Sequence, residues 1–310
     1  MEKCNLCGKK DHDFLFNSKD RMFNISGEFS LYKCRNCGLV FLSSQLKDEE
    51  LLKHYPSEFY YSFGRKDDKK IIKTIYKTIY SDKGSLLMKI LLSPLKSFVR
   101  GAKIIQKGKI LDIGCGSGTF LKSMSEFGMD CFGVEIGDFD GKYAIKNKLK
   151  IYKGDLLDAK YPSNYFDVIT MRHVLEHVRD PMITLKEVYR ILKKDGTFIL
   201  ETPNTSSFTN YLFGKFWVHY DLPRHFFSFN LEHLKRYAEK NNFKIGKTRT
   251  LGVNAFVPSF IYYLNRGGRR YMNLNKNILN RKPIKYIFHI ISFPINLINK
   301  GDNVELTLKK

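Results

Sequence analysis

The stretch that decides the fold runs Lys109-Ile110-Leu111-Asp112-Ile113 and continues without a break as Gly114-Cys115-Gly116-Ser117-Gly118. Its first half is a short apolar segment typical of a buried strand, and its second half has glycine at every other position. The next residues, 119–127, carry Phe120, Met124 and Phe127 at helical spacing. Because glycine lets a ligand come close to the backbone, this strand, loop and helix predict the binding turn of a parallel sheet.

The alternation of strand and helix continues along the chain. A helix is predicted at 181–192, and further strands are predicted at 131–134, 150–153, 166–171, 196–201, 243–250 and 303–308. Alternating strands and helices indicate a parallel sheet with helices on both faces. We therefore predict an α/β fold with a Rossmann-like, doubly wound sheet of seven strands, which spans residues 109–310 and contains a helical insertion at 251–300.

Two carboxylates beside the glycine loop indicate what it binds. Glu135 ends the second strand, where an acidic residue accepts hydrogen bonds from both ribose hydroxyls of an adenosine. A dinucleotide-binding loop would have its third glycine one residue later, at the position of Thr119. The Asp112 carboxylate would repel a pyrophosphate but attract a cation. A dinucleotide is therefore not the expected ligand.

The segment 111–118 resembles the first motif of the class I S-adenosylmethionine-dependent methyltransferases, whose ligand carries an ammonium and a sulfonium and no phosphate. The resemblance covers about residues 109–250, including the ends of the third, fourth and fifth strands. It implies that His173, just past the fourth strand, faces the cofactor or the substrate. The implied cofactor-binding residues are Asp112 and Gly114 at the methionine end, Gly116 and Gly118 in the loop, Glu135 at the ribose, and Asp155 and Leu156 at the adenine.

Four of the six cysteines form two identical pairs, Cys4-Asn5-Leu6-Cys7-Gly8 and Cys34-Arg35-Asn36-Cys37-Gly38. Two thiolates separated by two residues can bind one tetrahedral Zn²⁺, and the glycine after each pair supplies the positive φ that such a turn needs. Short strands are expected to flank the metal at 14–16 and 39–42. We therefore predict a zinc-ribbon-like module at 1–43 with a structural zinc on Cys4, Cys7, Cys34 and Cys37. Redox-active dithiols are the alternative.

Residues 44–108 are predicted to form a helical linker or cap, with helices at 46–55 and 71–80. The part from 69 to 100 is basic and amphipathic, so it could cover the neighbouring domain or lie on an anionic membrane surface. The insertion at 251–300 could rest on a membrane, because its apolar segments flank a basic cluster around Arg269, or it could form a helical cap over the substrate pocket.

Histidine is the natural base for methyl transfer to a hydroxyl or a carbon acid near neutral pH. His177 is expected to fix its loop. His219 and His225 belong to the aromatic segment 217–229 after the fifth strand, on the side where this fold usually builds its substrate pocket. We predict His225 as the general base, with a packed loop before a helix near Asn230 as the alternative. The histidines placed outside the crevice are His12, His54, His233 and His289.

A four-Cys module ahead of this fold resembles the sugar C-methyltransferases, in which a Glu-His pair followed by aromatics stands after strand five and the histidine is the base. His225 with Phe226 and Phe227 matches that place, but position 224 is arginine. The closer resemblance is to the zinc-module methyltransferases of bacterial surface-polysaccharide pathways. Arg224 is therefore expected to bind an acceptor that carries phosphate or carboxylate.

The charge balance is strongly basic, with 53 Lys and Arg against 31 Asp and Glu and a formal net charge of +22. Such a balance attracts polyanions, although a surface rich in lysine is equally typical of an AT-rich genome. No stretch reaches the roughly 18 apolar residues of a membrane-spanning helix, and the start has no apolar core of a secretory signal. A cytoplasmic protein is therefore expected, with peripheral contact to an anionic membrane as an option.

The sequence is compatible with three functions. The first is an S-adenosylmethionine-dependent methyltransferase that acts on a sugar, linked to a nucleotide or a lipid, in surface polysaccharide biosynthesis. The second is an RNA methyltransferase whose zinc module and basic surface bind RNA. The third is a binding protein without catalysis, against which the intact glycine loop and Glu135 argue. The identity of the acceptor and the oligomeric state are left open.

Overall fold

A computed structural model describes residues 3–56, 107–138, 141–265 and 294–310, together with residues 78, 85, 87, 88 and 105. Apart from residue 78, the predicted helix at 71–80 lies outside the described residues. The predicted insertion is described only at its two ends, 251–265 and 294–300.

The described residues form two β-sheets. The strands are β1 His12–Ser18, β2 Phe29–Cys34, β3 Val40–Leu42, β4 Lys109–Ile113, β5 Asp130–Glu135, β6 Lys150–Lys153, β7 Phe166–Arg172, β8 Leu192–Pro203, β9 Phe227–Ser228, β10 Lys244–Leu251 and β11 Asn303–Lys309. The larger sheet has seven strands in the order β10-β11-β8-β7-β4-β5-β6. β11 runs antiparallel to both of its neighbours, and the remaining pairs are parallel. The predicted doubly wound α/β sheet of seven strands is therefore confirmed.

Helices connect these strands and cover the sheet. They are α1 Asp48–Lys53, α2 Thr119–Glu126, α3 Gly141–Lys146, α4 Pro181–Ile191, α5 Phe208–Phe213, α6 Leu231–Lys240 and α7 Phe256–Asn265. The sequence explains where α4 begins, since the Asp180 carboxylate accepts hydrogen bonds from the backbone N–H groups of Met182 and Ile183, and Pro181 stands at the first helical position. Within the described residues, no helix has the length and apolar character needed to cross a membrane.

The order of the strands determines where a ligand can bind. β4 lies between β5 and β7, and the chain winds away from it in opposite directions on its two sides. In open α/β sheets the binding crevice lies at the carboxyl ends of the strands at such a switch point. The glycine loop follows β4 and His173 follows β7, so both stand at this edge.

The smaller sheet joins the amino-terminal cysteines to the rest of the molecule. Its order is β1-β2-β3-β9, and all three pairs are antiparallel. In the last pair, Val40 and Phe41 of β3 face Ser228 and Phe227 of β9, which lies just after His225. The domain boundary at residue 43 stays a prediction, but the module it delimits shares a sheet with the segment that follows the fifth strand of the main sheet.

The hydrophobic core is also continuous between the two sheets. One cluster of buried side chains runs from Leu6, Leu31 and Leu39 of the module to Phe198 of β8 and Tyr237 of α6. All five are at most 1% exposed. Burial of this size is worth roughly 2 kcal/mol or more for each side chain, so the module and the main sheet stabilise one another.

Helix α6 fastens the cysteine module by polar contacts as well. The Asn230 side chain accepts a hydrogen bond from the backbone N–H of His233, and His233 Nδ1 accepts one from the backbone N–H of Asn230. His233 Nε2 therefore carries the proton and donates it to the Cys37 carbonyl at 2.9 Å. Tyr237 donates to Asn5, and Lys240 donates to the Leu6 carbonyl. His233 thus has the packing role expected for a histidine outside the crevice.

Candidate active site

The glycine loop after β4 has a backbone that only glycine adopts easily. Gly114, Gly116 and Gly118 have φ values of 72°, 53° and 73°. A Cβ built on Gly114 would lie 2.3 Å from Cγ2 of Val174, which follows β7. The loop is therefore in direct contact with the segment that carries His173, Glu176 and His177.

The carboxylates predicted to bind the cofactor stand at this same edge. Asp112 is 7% exposed and accepts a hydrogen bond of 2.5 Å from Thr170 Oγ1 on the neighbouring strand β7. Glu135, at the end of β5, accepts 2.7 Å and 2.9 Å hydrogen bonds from the backbone N–H groups of Gly116 and Gly137. Glu135 thereby links the glycine loop to the loop after β5, which is where a ribose would lie if the predicted role holds.

The two residues predicted at the adenine follow β6. Asp155 accepts a hydrogen bond from the backbone N–H of Leu157 at 2.9 Å, which stiffens the turn. Leu156 is 3% exposed and belongs to the main core. The structure brings the ends of β4, β5 and β6 next to each other, whereas the contacts of these residues with a cofactor stay a prediction.

Four histidines gather on the substrate side of the glycine loop. His173 and His177 come from the segment after β7, and His219 and His225 come from the segment after β8. The rings of His177 and His225 meet edge to face with centroids 4.5 Å apart, and those of His173 and His219 stack at 6.4 Å. The two segments are 42 or more residues apart in the chain, so this cluster is formed by the fold.

His173 lies between two carboxylates. It adopts a φ of 54°, and its ring nitrogens lie 3.4 Å from Glu176 Oε1 and 3.4 Å from Glu201 Oε1. Burial lowers the pKa of His173, but the interactions with Glu176 and Glu201 outweigh it and raise the pKa to about 9. Burial likewise acts to raise the pKa of Glu176, yet His173 brings it down to about 2. At neutral pH the pair is an imidazolium and a carboxylate, so His173 is already protonated and poorly suited to accept a proton.

The other two buried imidazoles with shifted pKa values are neutral. Burial, aided by the charge of His225, lowers the pKa of His177 to about 4. Burial and the charge of His173 lower the pKa of His219 to about 3. His177 Nδ1 lies 3.0 Å from the Arg224 carbonyl and 3.1 Å from Tyr55 Oη, so His177 does hold its loop against two other segments.

His225, the predicted base, lies inside this cluster. It is 6% exposed, its Nδ1 lies 2.8 Å from the His219 carbonyl, and its backbone N–H donates to the Asp221 carbonyl at 2.9 Å. Because a carbonyl can only accept, Nδ1 carries a proton, and in the neutral ring Nε2 has the free lone pair. The structure thus orients His225 for accepting a proton or binding an ion at Nε2. Its role as the base stays a prediction.

The expectation that Arg224 binds an anionic acceptor is wrong. Arg224 is completely buried, and its guanidinium makes five hydrogen bonds: two to Asp221, two to Asp20 and one to the His54 carbonyl. These use all five N–H donors of the side chain, so none is left for a phosphate or carboxylate of an acceptor. Arg224 instead ties the His225 loop to the amino-terminal part of the chain. Its backbone carbonyl also receives the His177 hydrogen bond.

The four predicted zinc ligands converge in the module. One sulfur from each of Cys4, Cys7, Cys34 and Cys37 lies within 4.8 Å of the others. The closest pairs, Cys4 with Cys37 and Cys7 with Cys34, are both 3.5 Å apart. Gly8 and Gly38 have the expected positive φ values, 74° and 77°, and their N–H groups donate to the Cys4 and Cys34 carbonyls.

Sequence reasoning missed several residues of the site. Glu176 and Glu201 are 1% and 3% exposed and hold His173, and Glu201 also lies 3.5 Å from Arg172 Nε. Both lie in segments that match the methyltransferase pattern, so the available signals were a glutamate three residues after His173 and a glutamate at the end of the fifth strand. Asp20, the partner of Arg224, lies in none of the recognised sequence motifs, so no sequence signal indicated its role.

Comparison with known protein families matches residues 88–247 to the family described as a methyltransferase domain. The match spans more than half of the 310 residues. The chain therefore belongs to this methyltransferase family, in agreement with the sheet order and the glycine loop.

Individual relatives match over the same region. The uncharacterized methyltransferase YcgJ of Bacillus subtilis is 28% identical over 128 residues, which cover 37% of this chain and 50% of the relative. A ubiquinone biosynthesis O-methyltransferase of Nitrosospira multiformis is 34% identical over 121 residues, which cover 36% of this chain and 50% of the relative. The chain thus spans about half the length of the curated relatives it matches.

Two solved structures align with much of the chain. A SAM dependent methyltransferase from Archaeoglobus fulgidus has 21% sequence identity and a TM-score of 0.45, with 76% of this chain and 99% of that chain covered. A possible histamine N-methyltransferase from Thermotoga maritima has 20% identity and a TM-score of 0.46, with 76% and 91% covered.

Proposed function

We propose that the protein transfers a methyl group from S-adenosylmethionine to an oxygen or an acidic carbon of a small polar acceptor, with a sugar as the acceptor class. The observation that carries this proposal is the cluster of His173, His177, His219 and His225 in contact with the glycine loop through Val174. A methyltransferase whose acceptor must lose a proton needs such groups beside the methyl donor.

Different residues of the chain bind the cofactor and remove the proton of the acceptor. Bound S-adenosylmethionine supplies a methyl group on a sulfonium, ready for in-line displacement. Glu135 and Asp112 hold the two ends of that ligand, and the glycine loop lets its centre approach the backbone. The acceptor forms the new bond to the methyl carbon while the bond to sulfur breaks and its electron pair stays on sulfur. The proton of the acceptor leaves to His225, whose Nδ1 is held by the His219 carbonyl so that Nε2 is the nitrogen that can accept it.

Two features support a sugar as the acceptor. The four-Cys module and the aromatic His225 loop together resemble the zinc-module methyltransferases of surface-polysaccharide pathways. In addition, the relative from Nitrosospira multiformis is named a ubiquinone biosynthesis O-methyltransferase, which supports oxygen as the methylated atom, and a sugar offers its hydroxyl oxygens. Because the Arg224 guanidinium is bound to Asp20 and Asp221, it gives no reason to expect a phosphate or carboxylate on the acceptor.

We also infer that Cys4, Cys7, Cys34 and Cys37 bind one structural Zn²⁺. Four thiol sulfurs within 4.8 Å of one another, on two turns with positive-φ glycines, match the donor set of a closed tetrahedral site. Such an ion would stabilise β1 to β3 and, through the pairing of β3 with β9, the segment after His225. Cys34→Ser should remove one zinc per chain in elemental analysis, whereas Cys131→Ser should retain it, because Cys131 is buried beside Leu121 in the main sheet.

The acceptor class can be tested with labelled cofactor. The protein is incubated with methyl-tritiated S-adenosylmethionine and an extract of cells that lack it, and the products are separated into nucleotide-sugar, glycolipid, polysaccharide and RNA fractions. Glu135→Ala protein, which should bind the cofactor poorly, provides the background. Label in sugar-containing fractions that resists ribonuclease is the expected result. Label released by ribonuclease would identify an RNA acceptor and overturn the sugar proposal.

A further inference from the structure

Three groups that are typical metal ligands meet within the histidine cluster. One oxygen of Glu176 and one nitrogen each of His177 and His225 lie within 4.8 Å of one another. Glu176 and His177 belong to a short 3-10 helix after β7, and His225 belongs to the loop after β8. Glu176 and His225 are 1% and 6% exposed, so bulk water does not surround these atoms.

Hydrogen bonds orient the two imidazoles in the way that metal-binding histidines require. The Nδ1 atoms of His177 and His225 lie 3.0 Å and 2.8 Å from the backbone carbonyls of Arg224 and His219. Because these carbonyls can only accept, both Nδ1 atoms carry hydrogen, and Nε2 is the nitrogen of each ring that can bind a metal. A backbone carbonyl that accepts from the second nitrogen is the usual support of a histidine that binds a metal.

Glu176 lacks the partners that a buried carboxylate needs. Neither of its side-chain oxygens makes a hydrogen bond with any described residue. His173 Nδ1 lies 3.4 Å from Oε1, and no charged group is that close to Oε2 among the described residues. Glu176 is thus a buried carboxylate without a hydrogen bond to the described part of the chain, and the His173 ring lies 3.4 Å from one of its oxygens. One nitrogen each of His177 and His225 lies within 4.8 Å of an oxygen of this carboxylate, an arrangement that a bound cation would stabilise.

We propose that Glu176, His177 and His225 bind a divalent transition-metal ion that keeps one coordination position open. Two imidazoles and one carboxylate are a donor set found in catalytic zinc sites, where water or substrate takes the fourth position. Around one Zn²⁺ the ligand atoms would lie about 3.3 Å apart, so small side-chain rotations close the remaining distance. This site is separate from the four cysteines and has a different donor set.

The role of the ion rests on the proposed function. An acceptor hydroxyl bound at the open position would lose its proton more readily to a water molecule admitted with the acceptor, because a divalent cation stabilises the resulting alkoxide. The alkoxide oxygen would then form its bond to the methyl carbon as the sulfonium bond breaks. In this arrangement His225 acts on the proton through the ion, which makes it a ligand that is still required for turnover.

Cobalt binding tests the site without any acceptor. Co²⁺ is titrated into full-length protein that retains one zinc per chain, the ion on the four cysteines, and binding is followed by visible absorption and by calorimetry. We expect one Co²⁺ per chain with ligand-field bands and without the intense thiolate-to-cobalt charge-transfer band that binding at the cysteines would produce. Glu176→Gln, which preserves the shape of the side chain, should weaken this binding by more than about a hundredfold, which exceeds the loss expected when a residue that only hydrogen-bonds to a metal ligand is changed.

His219→Gln provides the matched control, because His219 lies in the same cluster but outside the set of three ligands. It should bind Co²⁺ as the parent protein does. His225→Ala should lose the cobalt bands while keeping its affinity for S-adenosylmethionine, which shows that the variant is folded. No cobalt uptake by the parent protein, or equal uptake by Glu176→Gln, would overturn the proposal. Because no acceptor is present, that result would leave the methyl-transfer proposal standing.

Discussion

The guanidinium of Arg224 and the carboxylate of Asp20 form a two-point ion pair that is completely buried, with N–O distances of 2.9 Å and 3.0 Å. The two residues are 204 positions apart in the chain. Arg224 directly precedes His225, and Asp20 follows β1 of the cysteine module. This single pair therefore connects the module to the loop that carries the proposed site.

Breaking this pair should destabilise the protein strongly. Asp20→Asn leaves the guanidinium buried with one charge partner fewer, and the loss of one member of a buried pair typically costs 3–5 kcal/mol. We expect a decrease of about that size in the free energy of unfolding, measured by urea denaturation. The control is Asp130→Asn, whose partner Lys150 is 57% exposed, and which should change stability by less than about 1 kcal/mol. Similar decreases in the free energy of unfolding in both variants would show that the buried pair stabilises the protein no more than an exposed pair does.

Glu135→Ala should weaken the binding of S-adenosylmethionine. If Glu135 accepts hydrogen bonds from both ribose hydroxyls, their loss should cost about 2–3 kcal/mol, or roughly a 30- to 150-fold increase in Kd. Titration calorimetry measures this change directly. Asp138→Ala is the control, because Asp138 is 81% exposed and pairs with Lys153 on the surface. An unchanged Kd for Glu135→Ala would refute the ribose assignment.

His225→Ala should separate binding from turnover. We expect cofactor affinity to stay the same and turnover to decrease about a hundredfold or more, since either a general base or the ligand of an activating ion would be lost. Initial rates with the acceptor fraction from the labelling experiment provide the measurement. His12→Gln, which changes a histidine packed on Phe41 in the cysteine module, should keep the parent rate. Parent-like turnover in His225→Ala would place proton removal elsewhere.

Asp302 should make the stability depend on pH. Burial raises its pKa to about 7, although Thr209 and the backbone N–H of Ala255 donate hydrogen bonds to it. A carboxyl group with a raised pKa in the folded state stabilises the protein below its unfolded pKa of about 3.9, and this contribution is lost as the pH rises through 7. The loss amounts to up to about 4 kcal/mol.

Asp302→Asn should remove that dependence, because the amide is neutral at every pH and can still accept a hydrogen bond from Ala255. Urea denaturation at pH 5 and pH 8 compares the two proteins. The variant should gain stability relative to the parent between these values. Parallel changes in both proteins would mean that Asp302 does not titrate in this range.

The fold was largely predictable because its signals are local. Each apolar segment or helix, the glycine run after β4 and each cysteine pair lies within fewer than 20 neighbouring residues. The seven strands of the main sheet were placed to within a few residues, and the largest difference is β8, which begins at Leu192 instead of residue 196. The two-residue strand β9 escaped prediction because two residues show no periodicity.

The sequence by itself determined the class of fold and the family, and it predicted which residues would hold a cofactor and a zinc ion. Only the tertiary structure decided that the Arg224 guanidinium pairs with Asp20 and Asp221. It also decided that β3 pairs with β9, and that Glu176 and His177 lie next to His225. The physical reason is the range of the interactions. Hydrophobic periodicity and turn chemistry act between near neighbours, whereas a buried charge finds its partner wherever the packed core brings two distant segments together.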